Sequence, residues 1–235
     1  MCRMILTYKP QPLQRMQRLL EVAERPYRSA KQGTHSFGMA VPRRCVIDVE
    51  RSTKIPYHDG IDVQTLARPN QDVTMYHFRC AFDFMPGETA LANTHPFIRH
   101  DRYAFMHNGV IPYYYNNAAN QTDSEMFLDA WLSQMDAFDR TVVPSLKRIM
   151  STVDDDRMLM NIVMVDTATG ELLAYRHNSN DAGFPGLFVH KKYGIITNFA
   201  VEGMTNSIPP RQMWHRPHAR ARFGMRPLLD AHKVS

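Results

Sequence analysis

Apolar and polar positions alternate through CRMILTY at residues 2–8, which predicts a strand beginning almost at the start of the chain. LQRMQRLLEVAERPY then sets Leu13, Met16, Leu19, Leu20 and Ala23 at helical spacing, and Pro26 ends the helix. HSFGMAV and CVIDV read as short strands separated by Pro42-Arg43-Arg44. Residues 50–71 are polar and broken by Pro56, Gly60 and Pro69. A connection of that length carries function or a short helix. DVTMYHFRCAF predicts a strand, FMPGETALANTHPF is irregular, and YAFMHNGVI is a strand running into a turn at Asn108-Gly109. TDSEMFLDAWLSQM opens a helix: Thr122 or Asp123 is the N-cap, Glu125 lies in the first turn, and Met126, Phe127, Ala130 and Trp131 share one side. TVVPSLKRIMSTV predicts a second helix. MLMNIVMVDT and ELLAYRHN, joined by ATG, form a hairpin, and LFVHKKYGIITNF forms another. Strands bunched around a helix pair predict packed layers of sheet and helix rather than alternating βαβ units.

A chain of 235 residues with 44% apolar content has material for one large domain or two small ones. No apolar run approaches the roughly 20 residues needed to span a membrane. The N-terminus lacks the basic-then-apolar order of a signal peptide, so a soluble cytoplasmic protein is expected. The cysteines are Cys2, Cys45 and Cys80. Their odd number argues against a disulfide framework, and their spacing offers no zinc signature. The formal charge is +5, and Arg211, Arg216, Arg220, Arg222 and Arg226 stand late in the chain without acidic neighbours. That stretch is either a solvated extension or a contact for an acidic partner or nucleic acid. Neither a GxxxxGK[ST] phosphate loop nor a GxGxxG pattern is present.

Two short stretches carry the candidate chemistry. A thiol attacks as the thiolate, and its free pKa is about 8.5, so some base must take its proton. Cys2 follows the initiator methionine. Removal of Met1 would place a free α-amine, of pKa about 7.7–8.0, in the same residue as the thiol. Read by itself, Cys2 is first of all an ordinary buried cysteine at a strand start. Attack on an amide carbonyl also creates an oxyanion, which needs fixed donors. Asn108 supplies a side-chain amide and Gly109 a backbone N–H at an unusual backbone angle. Alone, the pair is weak evidence, because an Asn-Gly hairpin turn is common.

MCR at the start, Arg79 in YHFRCA, NTHPF at 93–97, MHNG at 106–109 and TDSE at 122–125 occur in that order. Together they resemble the class II glutamine amidotransferase domain of the N-terminal nucleophile hydrolase superfamily, in its small stand-alone branch. The resemblance covers residues 2 to 130 by motif and extends to about 200 by strand pattern. It implies an α+β fold, a four-layer αββα sandwich. Residues 1–205 would form the glutaminase-like domain, and 206–235 a basic C-terminal extension packed on or flanking it. Cys2 would be the nucleophile, with Asn108 and Gly109 holding the oxyanion. Arg79 would hold the α-carboxylate of glutamine and Asp123 its α-ammonium, with His95 and His107 supporting the substrate site. No cofactor and no metal are implied.

The chain departs from the family pattern in three places, of which the first bears on the substrate and the second on closure of a loop over it. After Arg79 the chain reads Cys80, Ala81, Phe82, Asp83 and Phe84, so Phe82 and Asp83 replace residues that help bind the α-carboxylate. In the stretch resembling the family's glycine-rich loop, only Gly38 remains. Where a Ser-Glu pair often follows the last core strand, Thr197 and Asn198 stand instead, with the glutamate only at Glu202. The expected activity is a glutaminase that passes ammonia to a separate synthase or ligase. A stand-alone amidohydrolase of a γ-glutamyl conjugate or other amide is one alternative. An inactive family member acting as a binding protein is another, with nucleic acid left open by the basic tail.

Overall fold

The computed structural model describes residues 2–25, 36–43, 46–53, 63–67, 71–79, 91–114, 121–138, 141–153, 158–177, 186–201 and 206–216. Met1, Cys45, Cys80, Phe82, Asp83, Glu202 and the arginines beyond Arg216 therefore lie outside the described residues. Eleven strands and four α-helices follow one another as β1 (Arg3–Thr7), α1 (Leu13–Glu24), β2 (Ser36–Arg43), β3 (Val46–Ser52), α2 (Val63–Leu66), β4 (Thr74–Arg79), β5 (Phe97–Arg99), β6 (Tyr103–Val110), α3 (Asp123–Phe138), α4 (Val142–Val153), β7 (Leu159–Asp166), β8 (Glu171–Arg176), β9 (Phe188–His190), β10 (Ile195–Thr197) and β11 (Gln212–Arg216) among the described residues.

The strands form two sheets, in the orders β3-β2-β4-β1-β10-β9 and β11-β8-β7-β6-β5. Neighbouring strands run antiparallel throughout the described residues. Because side chains alternate across a strand, each sheet has two apolar faces to bury, and three clusters result. Ile5, Phe37, Met39, Tyr76 and Phe78 pack the outer face of the first sheet against Met16, Leu19 and Leu20 of α1 and Leu66 of α2. Phe105, Ile162, Met164 and Leu173 pack the outer face of the second against Phe127 and Trp131 of α3 and Leu146 and Ile149 of α4. Between the sheets, Met4, Leu6 and Met75 meet Met106, Val163, Val165 and Leu172. Helix, sheet, sheet and helix thus lie in four layers, the αββα order.

Local details follow from the residues. Thr122 is the N-cap of α3: its Oγ1 accepts the Glu125 N–H at 3.2 Å, and the Glu125 carboxylate accepts the Thr122 N–H at 3.4 Å, a reciprocal capping box. Trp131, wholly buried, donates its indole N–H to Ser145 Oγ at 2.8 Å and ties α3 to α4. One sequence expectation needs correction here. Pro42 and Arg43 belong to β2, opposite Ile47 and Val46, and do not separate two short strands. β4 pairs only with Ser36–Ala40, so Pro42 lies past that ladder and its missing N–H costs no bond on that side. Gln212–Arg216, at the start of the stretch expected to pack on or flank the domain, pairs with β8 as an edge strand.

Candidate active site

Alternation along the strands decides what shares the space between the sheets. Met4 and Leu6 on β1, Met75 on β4, Met106 on β6, Val163 on β7 and Ala174 on β8 face inward. Two residues on, the same faces carry His77 and Arg79 on β4, Asn108 on β6, Asn161 on β7 and Arg176 on β8. Cys2 precedes Met4 by two. Extending the β1–β4 register one step past Arg3–Phe78 sets it beside Arg79. β1 packs across the gap on β6. Stacked sheets lie about 10 Å apart, so where apolar filling gives way to Cys and Asn, side chains from both walls can reach one small molecule.

Asn108 and Gly109 sit within β6, paired with Asn161 and Met160, and not in an exposed turn as the sequence suggested. Gly109 absorbs the conformational demand. Its φ is +136°, and a β-carbon there would overlap the Leu159 carbonyl oxygen, so the strand deforms without losing its ladder. Asn108 is buried, and its Nδ2 has no hydrogen-bond partner among the described residues. An unmade buried donor costs about 1–3 kcal/mol. Such groups persist where something else is meant to accept the bond.

Three buried histidines brace this end. His77 donates Nε2–H to the His107 carbonyl at 3.2 Å, bridging the sheets. That carbonyl is open to it because β5 pairs only with Tyr103–Phe105. Burial, offset in part by that bond, lowers the His77 pKa to about 3, so the ring is neutral. His107 Nδ1 lies 2.8 Å from Ser124 Oγ. The hydroxyl's hydrogen goes to Asp123 at 3.2 Å, so Nδ1 carries the proton and donates. Burial lowers this imidazole too, against the pull of the Asp123 carboxylate. His95 packs at a tilt against His77 and Phe97 with ring centroids 4.5 and 4.3 Å apart, and neither ring nitrogen has a hydrogen-bond partner among the described residues. Burial, then the neighbouring His77 and His107, hold it well below the ordinary range. Among the described residues no cluster of three His, Cys, Asp or Glu is arranged to hold a metal ion.

Asp123 lies at the first turn of α3, beside the exit of β6. Its Oδ2 accepts the Ile111 N–H at 2.8 Å and its Oδ1 the Ser124 N–H at 2.7 Å, so it ties the exit of β6 to the helix. Arg79 ends β4 opposite Ser36, whose hydroxyl accepts from Thr94 at 2.8 Å. Gly38 is explained by approach rather than by loop flexibility: a β-carbon would overlap the His95 carbonyl oxygen. Cys2 is half-buried, with its carbonyl held by the Asn198 side chain at 2.9 Å. The structure thus brings Cys2, Arg79, Asn108, Gly109, His95 and His107 to one end of the sandwich. Sequence reasoning missed His77, Ser124 and the contact made by Asn198. The one available signal for His77 was a polar residue at an inward position of an otherwise apolar strand.

No protein-family model matches the chain, and no curated protein matches it by sequence. Solved structures do match. A glutamine aminotransferase class-II domain protein from Silicibacter pomeroyi superposes with a TM-score of 0.54 at 18% identity, over 93% of this chain and 100% of that one. The glutamine phosphoribosylpyrophosphate (PRPP) amidotransferase of B. subtilis, complexed with ADP and GMP, gives 0.60 at 12% identity over 96% and 50%. An allosteric regulatory enzyme of purine biosynthesis gives 0.61 at 13% identity over 96% and 49%. The chain spans about half the length of these last two. Its fold, the αββα sandwich, is the one these amidotransferase structures share.

Proposed function

We propose that this protein is a glutaminase of the class II amidotransferase type. With Met1 removed, the Cys2 thiol gives its proton to its own α-amine, and the sulfur attacks the side-chain amide carbon of glutamine. The oxyanion of the tetrahedral intermediate lies against Asn108 Nδ2 and the Gly109 N–H. Collapse breaks the C–N bond, and ammonia leaves with the proton held by the amine. Water then hydrolyses the γ-glutamyl thioester to glutamate and regenerates the thiol. Arg79 pairs with the substrate α-carboxylate, and Asp123 receives its α-ammonium. The ammonia passes to a separate synthase or ligase.

The observation that carries this reading is the buried Asn108 amide without a partner among the described residues, on the face that β6 turns toward β1. Intact-mass measurement of the purified protein should show Cys2 as the first residue. Glutamate and ammonia release should be present in the wild type and absent in Cys2→Ala. Retained Met1 with no release would leave the non-catalytic binding reading in its place. Phe82 and Asp83, which lie outside the described residues, favour a second substrate class: an amidohydrolase acting on a γ-glutamyl conjugate. A panel of γ-glutamyl amides compared with free glutamine separates the two.

A further inference from the structure

At the end of β10 the backbone ladder stops and a side chain continues it. Thr197 makes the last backbone pair with Ile5. The Thr197 hydroxyl then donates to the Phe199 carbonyl at 2.7 Å. Asn198, wholly buried, reaches back to β1 in its place: its Oδ1 accepts the Met4 N–H at 2.7 Å, and its Nδ2 donates to the Cys2 carbonyl at 2.9 Å. Its own N–H lies 3.4 Å from the Met4 carbonyl.

We infer that Asn198 is a positioning residue for Cys2: its carboxamide replaces a strand partner and fixes the main chain from which the Cys2 thiol and amine project. The inference rests on the proposed nucleophile role of Cys2. The chemistry of the group is specific. The clamp needs one acceptor and one donor side by side, and a carboxamide supplies both. A carboxylate of the same shape would accept from Met4 but set a second oxygen against the Cys2 carbonyl. A side-chain clamp also holds the main chain at Cys2 without extending the β10 ladder alongside it. Among the described residues the charged and titratable groups near this end include Arg79 on β4, Arg51 on β3, Arg176 on β8, the buried imidazoles of His77, His95 and His107, and Arg3, whose guanidinium lies 5.3 Å over the Phe199 ring.

The test is the rate of Cys2 alkylation by iodoacetamide, followed by intact mass as a function of pH, in wild type, Asn198→Asp and Asn198→Ala. Asn198→Asp should move the alkylation midpoint upward by about one pH unit, since it sets a negative charge against the carbonyl of the residue that carries the thiol, and a nearby anion disfavours the thiolate. Asn198→Ala should slow alkylation and lower kcat for amide hydrolysis about tenfold with KM unchanged. Unchanged midpoint and rate in folded variants overturn the inference. Should both variants fail to fold, the wild-type Asn198 side-chain NMR signals decide: they should titrate with the midpoint found for Cys2 alkylation, and pH-independent signals overturn it. Alkylation and NMR do not need turnover. A protein that hydrolyses no glutamine therefore defeats the proposed function, while the alkylation and NMR results still decide the role of Asn198.

Discussion

The two ends of β6 settle their polar groups differently. At the Tyr103 end, Arg102 donates Nε–H and Nη2–H to Asp166 at 2.8 and 2.7 Å. The same carboxylate caps the β7–β8 turn by accepting the Ala168 N–H at 2.9 Å. Glu171 accepts from His215 of β11 at 2.7 Å. A cavity of about 370 Å³ opens there, lined by Arg102, Asp136, Asp166 and Glu171 among others. At the His107–Gly109 end the pattern is reversed. Asn108 Nδ2, both His95 ring nitrogens and the second nitrogens of His77 and His107 are buried without hydrogen-bond partners among the described residues. The first end is roomy but its charges already answer one another. The second keeps unanswered donors and neutral imidazoles within the fold. Unmade bonds, more than empty volume, mark where a substrate would bind and react.

The comparison yields four expected outcomes. Cys2→Ala should abolish amide hydrolysis, more than roughly a thousandfold, with the melting temperature nearly unchanged; residual turnover near wild type would remove the nucleophile from the scheme. Asn108→Ala should lower kcat about 10²–10³-fold, the range for one oxyanion donor. Because it deletes a buried donor with no partner among the described residues, its stability loss should be small. A large loss with intact kcat would make the residue structural. Asp166→Asn should do the opposite. The Asp166 side chain is 1% exposed and Arg102 40%, so breaking the pair should cost about 2 kcal/mol by chemical denaturation, less than for a wholly buried pair. Activity should stay within about twofold, and a collapse of turnover there would erase the distinction between the ends.

The smallest effect is in pH. The folded-state pKa of His77 is lowered to about 3, below its unfolded value of about 6.5. The unfolded chain therefore binds more protons between those values. Stability is fully present above about 6.5 and falls on acidification toward 3, by up to about 1.4 kcal/mol per pH unit for this one histidine. His95 and His107 are shifted in the same direction and steepen the fall. Denaturation midpoints at pH 7, 6 and 5 should show a shallower slope in His77→Gln; equal slopes would place the imidazole in contact with water.

Much of the fold was legible along the chain. The alternation of β1, the 3.6-residue spacing of α1 and the hairpins β7–β8 and β9–β10 were visible because each is set by neighbours in sequence. β5 and β11 were not, because neither is joined to its partner by a sequence pattern that marks a strand, and each gains its identity from the strand it pairs with. Asn108-Gly109 looked like a turn, since an Asn-Gly pair closing an apolar run is the usual hairpin signal. Pairing with Asn161 and Met160 overrode that preference. Asp123 and Glu125 could be placed at a helix start, but not the choice of Thr122 as cap, which depends on which oxygen meets which N–H.

The sequence by itself determined the layers and the identities of the reactive groups: periodicity selects strand or helix, and only certain side chains carry a thiol, a carboxamide or a guanidinium. Tertiary structure alone decided which of them share a space. Cys2, Asn108 and Asn198 are separated by long stretches of chain: the register of β1 on β10 brings Asn198 to Cys2, and the packing of β1 on β6 brings Asn108 to the same end of the sandwich. A slip of one residue in a strand's register would turn its reactive group to the opposite face.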